Sequence, residues 1–519
     1  MGYKEKTPTD TIMKEWQHKD IFVDTIPGVS SDKAYRDILS KKGDTIVVAI
    51  IDSGVDIHHE DLKDQIWTNP KEIPNNNKDD DGNGYIDDIH GWNFLGNTKG
   101  KNAYYARLEY VRILKNKGLF NSIGELVVPK EEKDSTILRM AKFYKEEKAL
   151  LDENKAYVLE QRNAYEKINK DLQNYFPNQK YTLEKLRTID TIANPYLKTS
   201  VKTLHEFLEY ELTQEWIQEF EEYNHIVEKY KLNPNYDDQK ISGDDKTNIQ
   251  DKNYGNNDIV GDITIDNHGT IVAGLIGASR DNEKGMNGIA DKVKLMILKA
   301  VPHGDEYDKD IALAIRYAVD NGAKVINMSF GKFFSSQQKF VSDAIAYAAK
   351  KDVLIVHAAG NENSNIDAIR FYPTDYSQNG EFAQNFINVG SSNYKLNRKL
   401  PSSFSNYGKQ HVDVFAPGYN LYTTLPNNKY IHESGTSLAA PLVSGIAALL
   451  RSRYPDLKAA QIKYILMNSG YSYEVEVRIP GEENSPNVPF SELSKSGKIV
   501  NVYTALLMAE KMVKSKKKE

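Results

Sequence analysis

The sequence predicts an α/β fold, doubly wound on a mainly parallel sheet, that carries an inserted α-helical hairpin. Three observations lead there: unbroken β-branched runs, helical patterns that alternate with them, and one long stretch in which the alternation stops. The first run is Thr45-Ile46-Val47-Val48-Ala49-Ile50-Ile51, whose lack of polar alternation marks a strand covered on both faces. Runs of the same kind occupy Val293 to Ala300, Val325 to Met328, Val353 to Ala358 and Ile387 to Gly390. Helical patterns fall between and after them, at Ile271 to Ala278, Asp310 to Asn321, Gln337 to Lys350 and Leu438 to Arg451. Ahead of all of these, Pro27-Gly28 and a Ser-Ser-Asp cap open a short helix from Ser31 to Leu39.

These readings divide the chain into a lead-in (1–43), the first part of the α/β domain (44–99), a helical insertion (100–232), the second part of the domain (233–510) and a charged tail (511–519). The insertion is rich in Glu, Lys, Leu and Tyr and poor in Gly. In its first arm Ile137, Tyr144, Leu151, Val158, Tyr165 and Leu172 recur every seven residues with polar neighbours, which gives a narrow seam instead of a broad core face. The second arm, Val201 to Tyr230, places Leu204, Leu208, Ile217, Phe220, Tyr223 and Val227 at helical spacing. Asn194-Pro195 breaks the helix between them, because a residue before proline is pushed out of the α region. Two coiled-coil-like arms packed on each other are expected.

Composition narrows the function. With 519 residues, 40% apolar and 27% charged, the chain has ample material for a core, and a net charge of −6 does not suggest nucleic acid as a partner. The run Lys514-Ser515-Lys516-Lys517-Lys518 reads as a solvated tail. There is no cysteine, which excludes disulfides, thiolate metal sites and a cysteine nucleophile together. No apolar stretch approaches the ~18 residues of a membrane span, and Met1-Gly2-Tyr3-Lys4-Glu5-Lys6 lacks the apolar core of a secretory signal.

Three polar residues stand at places where α/β proteins form sites. Asp52 ends the first strand in Ile51-Asp52-Ser53-Gly54, at the carboxyl edge of the predicted sheet; alone, Asp-Ser-Gly is ordinary turn chemistry. His268 opens the helix Asn267-His268-Gly269-Thr270-Ile271-Val272-Ala273-Gly274, where a lone histidine would be structural. Ser437, in Ser434-Gly435-Thr436-Ser437-Leu438-Ala439-Ala440-Pro441, is either an N-cap or a hydroxyl at a helix start whose N–H groups favour developing negative charge.

Taken together, in this chain order, the three segments resemble the subtilisin-like serine proteases, or subtilases, whose order is Asp, His, Ser. Ala358-Ala359-Gly360-Asn361-Glu362 is similar to the segment that supplies that family's oxyanion-hole asparagine, and Asn327-Met328-Ser329-Phe330-Gly331 to the strand bordering its substrate cleft. The resemblance covers about residues 20–99 and 233–510 and leaves the helical insertion unexplained. Ile271 stands where the family usually has a second histidine, and 216 positions separate Asp52 from His268, many more than in most subtilases. The resemblance implies a serine endopeptidase acting on polypeptides, with Asp52, His268 and Ser437 as triad and Asn361 in the oxyanion hole. It also implies that Ser329, Phe330, Gly331, Ala358, Ala359 and Gly360 wall the pocket for the residue before the scissile bond, the glycines leaving room for a large side chain, with Glu362 at the rim.

A separate signal is Asp79-Asp80-Asp81-Gly82-Asn83-Gly84-Tyr85-Ile86-Asp87-Asp88. Asp79, Asp81, Asn83, the Tyr85 carbonyl and Asp87 match most of a helix-loop-helix Ca²⁺ loop, although His90 stands where the bidentate Glu should be. A structural Ca²⁺ is therefore expected there. Asp237, Asp238, Asp244 and Asp245 form a looser acidic cluster, weaker as a metal site. The rival to an enzyme is a non-catalytic subtilase-like scaffold whose helical insertion binds a protein partner. Absence of cysteine, the calcium loop and the family's habit favour an exported bacterial protein whose leader is absent from this chain, with a cytoplasmic place left open.

Overall fold

The computed structural model describes residues 10–39, 43–482 and 486–516. They form two compact units, one of Met1–Tyr104 with Asp238–Glu519 and one of Tyr105–Asp237. Residues 100–104 stay with the first unit because Ala103 N–H donates to Leu95 O (2.8 Å) and His303 N–H to Tyr104 O (2.7 Å).

The first unit is built on a nine-stranded sheet. Its strands are β1 (Ile46–Asp52), β2 (Gly91–Asn93), β3 (Val293–Lys299), β4 (Val325–Met328), β5 (Leu354–Ala358), β6 (Phe386–Ser392), β7 (Val414–Pro417), β8 (Tyr471–Ser472) and β9 (Lys498–Ile499). They lie in the order β8-β9-β7-β6-β5-β4-β1-β3-β2, parallel from β9 to β2, with an antiparallel β8–β9 pair at the edge. β1 pairs with β3 on one side (Ile50↔Ile297) and β4 on the other (Ile50↔Asn327), so the strand order reverses around it. Such a switch point opens a crevice at the carboxyl ends of the strands, and Asp52 sits there.

Successive side chains of β1 point to opposite faces, and both faces are covered. Ile46, Val48 and Ile50 join the core under α2 (His268–Gly277) and α5 (Thr436–Arg453), while Ala49 and Ile51 join that under α3 (Asp308–Asp320) and α4 (Gln338–Lys350). The short helix ahead of β1, here α1, runs Ser31–Asp37. The sequence reading lacks β2, β7, β8 and β9, each four residues or fewer and paired mainly through partners distant in the chain. A helix at Val502–Lys516 also extends into the segment read as a charged tail, whose residues 517–519 lie outside the described ones.

The second unit contains the expected long arm, a 38-residue helix, Ser135–Leu172, started by the Asp134 carboxylate, which accepts from the Thr136 and Ile137 N–H groups. Its heptad residues Ile137, Tyr144, Leu151, Val158 and Leu172 are buried and Tyr165 half-buried. The other arm is not one helix. It breaks after Lys198–Glu209 at a turn where Glu211 takes φ 54°, and restarts as Gln214–Ile226 behind Thr213, whose hydroxyl caps Trp216 N–H. Pro195 begins a single tight turn, Pro195–Leu197, and Leu172, Leu197, Leu204 and Phe207 close one apolar cluster.

Candidate active site

Asp52, the last residue of β1, is buried, and its Oδ1 accepts from Ser53 N–H and from His268 Nδ1, both at 2.8 Å. A carboxylate only accepts, so the His268 proton lies on Nδ1 and Nε2 presents its lone pair outward. The helix that begins with His268 can come this close because the next residue lacks a side chain: a Cβ on Gly269 would lie 2.1 Å from Gly54 O. Thr270 Oγ1 accepts from Asp56 N–H (2.9 Å) and ties the same turn to the helix. Burial presses the His268 imidazole towards neutrality, but the Asp52 carboxylate outweighs it and holds the ring's pKa above the usual 6.5.

Ser437 lies in the first turn of α5, whose Pro441 has no N–H to give to the carbonyl four residues back. That carbonyl belongs to Ser437 and is satisfied from outside the helix by Ser329 Oγ at 2.8 Å. The proline thus joins the helix start to the end of β4. Asn361 is oriented by the adjacent residue: its Oδ1 accepts from Thr436 N–H (2.8 Å) and Thr436 Oγ1 (2.9 Å), which leaves Nδ2 free to face the other way. An atom at the Cβ position of Gly435 would lie 2.7 Å from Ser437 Oγ and 3.6 Å from Asn361 Nδ2, so hydroxyl and amide donor border one space. Among the described residues no hydrogen bond joins His268 to Ser437. Such bonds are often long in a site without substrate.

A cleft of 210 Å³ opens beside Ser437 and Asn361, lined by Ser329, Phe330, Gly331, Ala358, Gly360 and Glu362 among others. Ala359 stands apart from it, fully buried in a core with Tyr407 and Phe415. Phe371 packs against both glycines, since a Cβ on Gly331 would lie 2.3 Å, and one on Gly360 2.7 Å, from its ring. Phe371 is thus part of the wall, and the 210 Å³ of the cleft lies beside it. Glu362 is held by Asn406, whose Nδ2 donates to its Oε2 (2.6 Å) and whose Oδ1 accepts from its N–H (3.1 Å).

Sequence reasoning also missed a buried charge cluster at this cleft. Lys332 Nζ lies 3.0 Å from Asp308 Oδ1 and 3.7 Å from Glu306 Oε1, and Glu306 lines the cleft. Burial pushes the Glu306 carboxyl up to about 7 against the pull of Lys332.

The acidic loop is differently organised from the expected Ca²⁺ site. A tight turn, Lys63–Gln65, precedes it and β2 follows, so flanking helices are absent among the described residues. Asp87 turns its carboxylate to the Asn76 and Asn77 N–H groups (3.2 and 2.7 Å), Asn83 Nδ2 donates to Asp88 (3.0 Å), and the Tyr85 ring packs edge-on to Trp92 and Tyr317. Three carboxylates do converge: Glu72, Asp79 and Asp81 offer oxygens within 4.8 Å of one another. Glu72 is buried and its Oε2 has no hydrogen-bond partner, so a hard, oxygen-preferring cation suits this set. Lying seven residues before Asp79, Glu72 falls outside the loop motif. In the other acidic cluster the Asp244 carboxylate is paired, with Lys309 at 2.7 Å and Lys246 at 3.1 Å.

The model of the subtilase family (Peptidase S8) matches residues 43–491. A thermophilic serine proteinase of Bacillus sp. (strain AK1) is 39% identical over 192 residues, 37% of this chain and 44% of that protein. Subtilisin DY of Bacillus licheniformis is 37% identical over 198 residues, 38% of this chain and 67% of that one. The major intracellular serine protease of Bacillus subtilis (strain 168) is 37% identical over 223 residues, 42% and 64% of the two chains. The chain thus spans between 44% and 67% of the length of these three relatives.

Proposed function

The chain belongs to the subtilase family, and from that premise we propose that it is a serine endopeptidase working through Asp52, His268 and Ser437. The observation that carries the proposal is the pairing of a His268 ring fixed by Asp52 with a Ser437 hydroxyl that shares its space with the Asn361 amide. His268 Nε2 takes the proton from Ser437 Oγ as it attacks a peptide carbonyl, then gives it to the leaving amine. Asp52 keeps the ring in the required tautomer and stabilises its charged form. The carbonyl oxygen, now negative, is met by Asn361 Nδ2 and by main-chain N–H at the start of α5. Phe330 and Phe371 in the cleft wall support an apolar side chain before the scissile bond.

Glu72, Asp79 and Asp81 would hold a structural Ca²⁺, which supplies charge compensation and takes no part in the chemistry. The compartment proposed is outside the cell. No described helix is long and apolar enough to cross a membrane. Fractionation of the source cells, with the protein found only in the cytosol, would reject export.

The test is labelling by a fluorophosphonate together with hydrolysis of a peptide library. Ser437 should be labelled and Ser437→Ala should not. A folded wild-type chain that neither labels nor cleaves would leave the non-catalytic scaffold as the reading.

A further inference from the structure

Besides the cleft, the first unit holds a larger cavity of 700 Å³, lined among others by Lys395, Arg398, Lys399 and Arg478. Among the described residues none of these four cations has a carboxylate partner, and Glu482 is the only acidic residue in the lining. Such a concavity focuses a positive potential on whatever enters it.

Its place follows from the sheet. Asn361 follows β5, the cleft lies at the ends of β4 and β5, and the cavity lies at the ends of β6 and β7, where Asn393 and Tyr419 line it. In the order β7-β6-β5-β4 the two concavities therefore flank the Asn361 segment on opposite sides. Two links bring the cavity to the reacting groups: Asn363 N–H donates to Phe404 O (2.8 Å), both residues lining it, and Gly435 N–H donates to Gly418 O (2.8 Å), beside Tyr419. The cavity is thereby the concavity towards which a polypeptide can continue past Ser437 when its preceding side chain occupies the cleft on the other side of the Asn361 segment.

We infer that this cavity is a subsite for acidic side chains on the leaving-group side of the scissile bond, a reading that rests on the endopeptidase function proposed above. The carboxylates of Asp or Glu in the substrate supply the counter-charges that Lys395, Arg398, Lys399 and Arg478 lack. Ion pairs that stay partly hydrated are individually modest, so the selectivity expected is roughly three- to tenfold.

The experiment uses quenched fluorescent peptides identical up to the scissile bond, with Ala, Asp/Glu or Lys after it. Wild-type kcat/KM should be greatest for the acidic series and least for the lysine series, and the gap should shrink at ~1 M salt, where screening acts within about 3 Å. Arg398→Glu with Arg478→Glu should reverse the order. If that pair fails to fold, judged by loss of fluorophosphonate labelling, Arg398→Gln alone should narrow the acidic-to-neutral ratio. Equal rates for the three wild-type series, or ratios unchanged in the folded variants, overturn the subsite while leaving the endopeptidase intact. Absence of cleavage in every series, with no labelling of Ser437, defeats the endopeptidase reading itself and the subsite with it.

Discussion

Strand β1 and the helix Ser135–Leu172 are both long segments with regular apolar patterns, yet they use them differently. Six of the seven residues of β1 are buried, on two faces at once, whereas eight of the 38 in the helix are, along one seam. A strand covered on both faces can open only when the layers on either side of it do. A seam with one buried side chain every second turn, as from Leu151 to Val158, can open locally. Each residue of the proposed triad sits on an element buried nearly throughout, Asp52 on β1, His268 on α2 and Ser437 on α5, and none on the helix with the single seam.

The largest test of that division is chemical. Ser437→Ala should lower kcat by a factor on the order of 10⁶, a size established on subtilisin itself, while leaving the melting curve of the whole chain unmoved. Asn361→Ala should cost ~10²–10³, again subtilisin's own magnitude, and a kcat within twofold of wild type would remove Asn361 from the oxyanion hole. Next comes the helical insertion. Leu172 is fully buried in the insertion's cluster, so Leu172→Ala should cost ~2–5 kcal/mol there. Hydrogen exchange should then quicken in residues 135–226 and not in β1; equal quickening of both would mean that the two regions unfold as one.

Calcium offers a smaller lever, on the first unit. Chelation should lower Tm by mass action, and Glu72→Gln should remove most of that response. Superimposable melting curves with calcium and with chelator would reject the site.

The smallest effect is on pH. His268 must be neutral to accept a proton, and its pKa is held above 6.5, so kcat/KM should rise with pH to a midpoint above 6.5. The same shift stabilises the fold below pH 6.5, where the ring is charged in both states, and that gain is lost as pH rises through the folded pKa. NMR titration of Asp52→Asn should show the His268 value falling; an unchanged value would mean that Asp52 is not what raises it.

What could be read without the structure was whatever is written locally. The β-branched run of β1, the heptads from Ile137 to Leu172 and the motifs around Asp52, His268, Asn361 and Ser437 each declare themselves within a few residues, because strand burial, helix periodicity and a family's motifs are short-range patterns. Even the breaks were legible where a single residue forces them, as at Pro195; the break before Thr213 was not, since its cap competes with an otherwise helical pattern. Only the tertiary structure decided what fills the space around those motifs. Phe371 stands 40 residues from Gly331 and packs against it in the cleft wall; Glu72 completes a carboxylate cluster whose motif starts at Asp79; Lys332, after β4, is paired with Glu306 and Asp308, which precede that strand in the chain. Steric exclusion and charge pairing depend on distance in space, which the chain's order does not record, so the local motifs name the proposed reacting groups and the fold sets the size and charge of what they can meet.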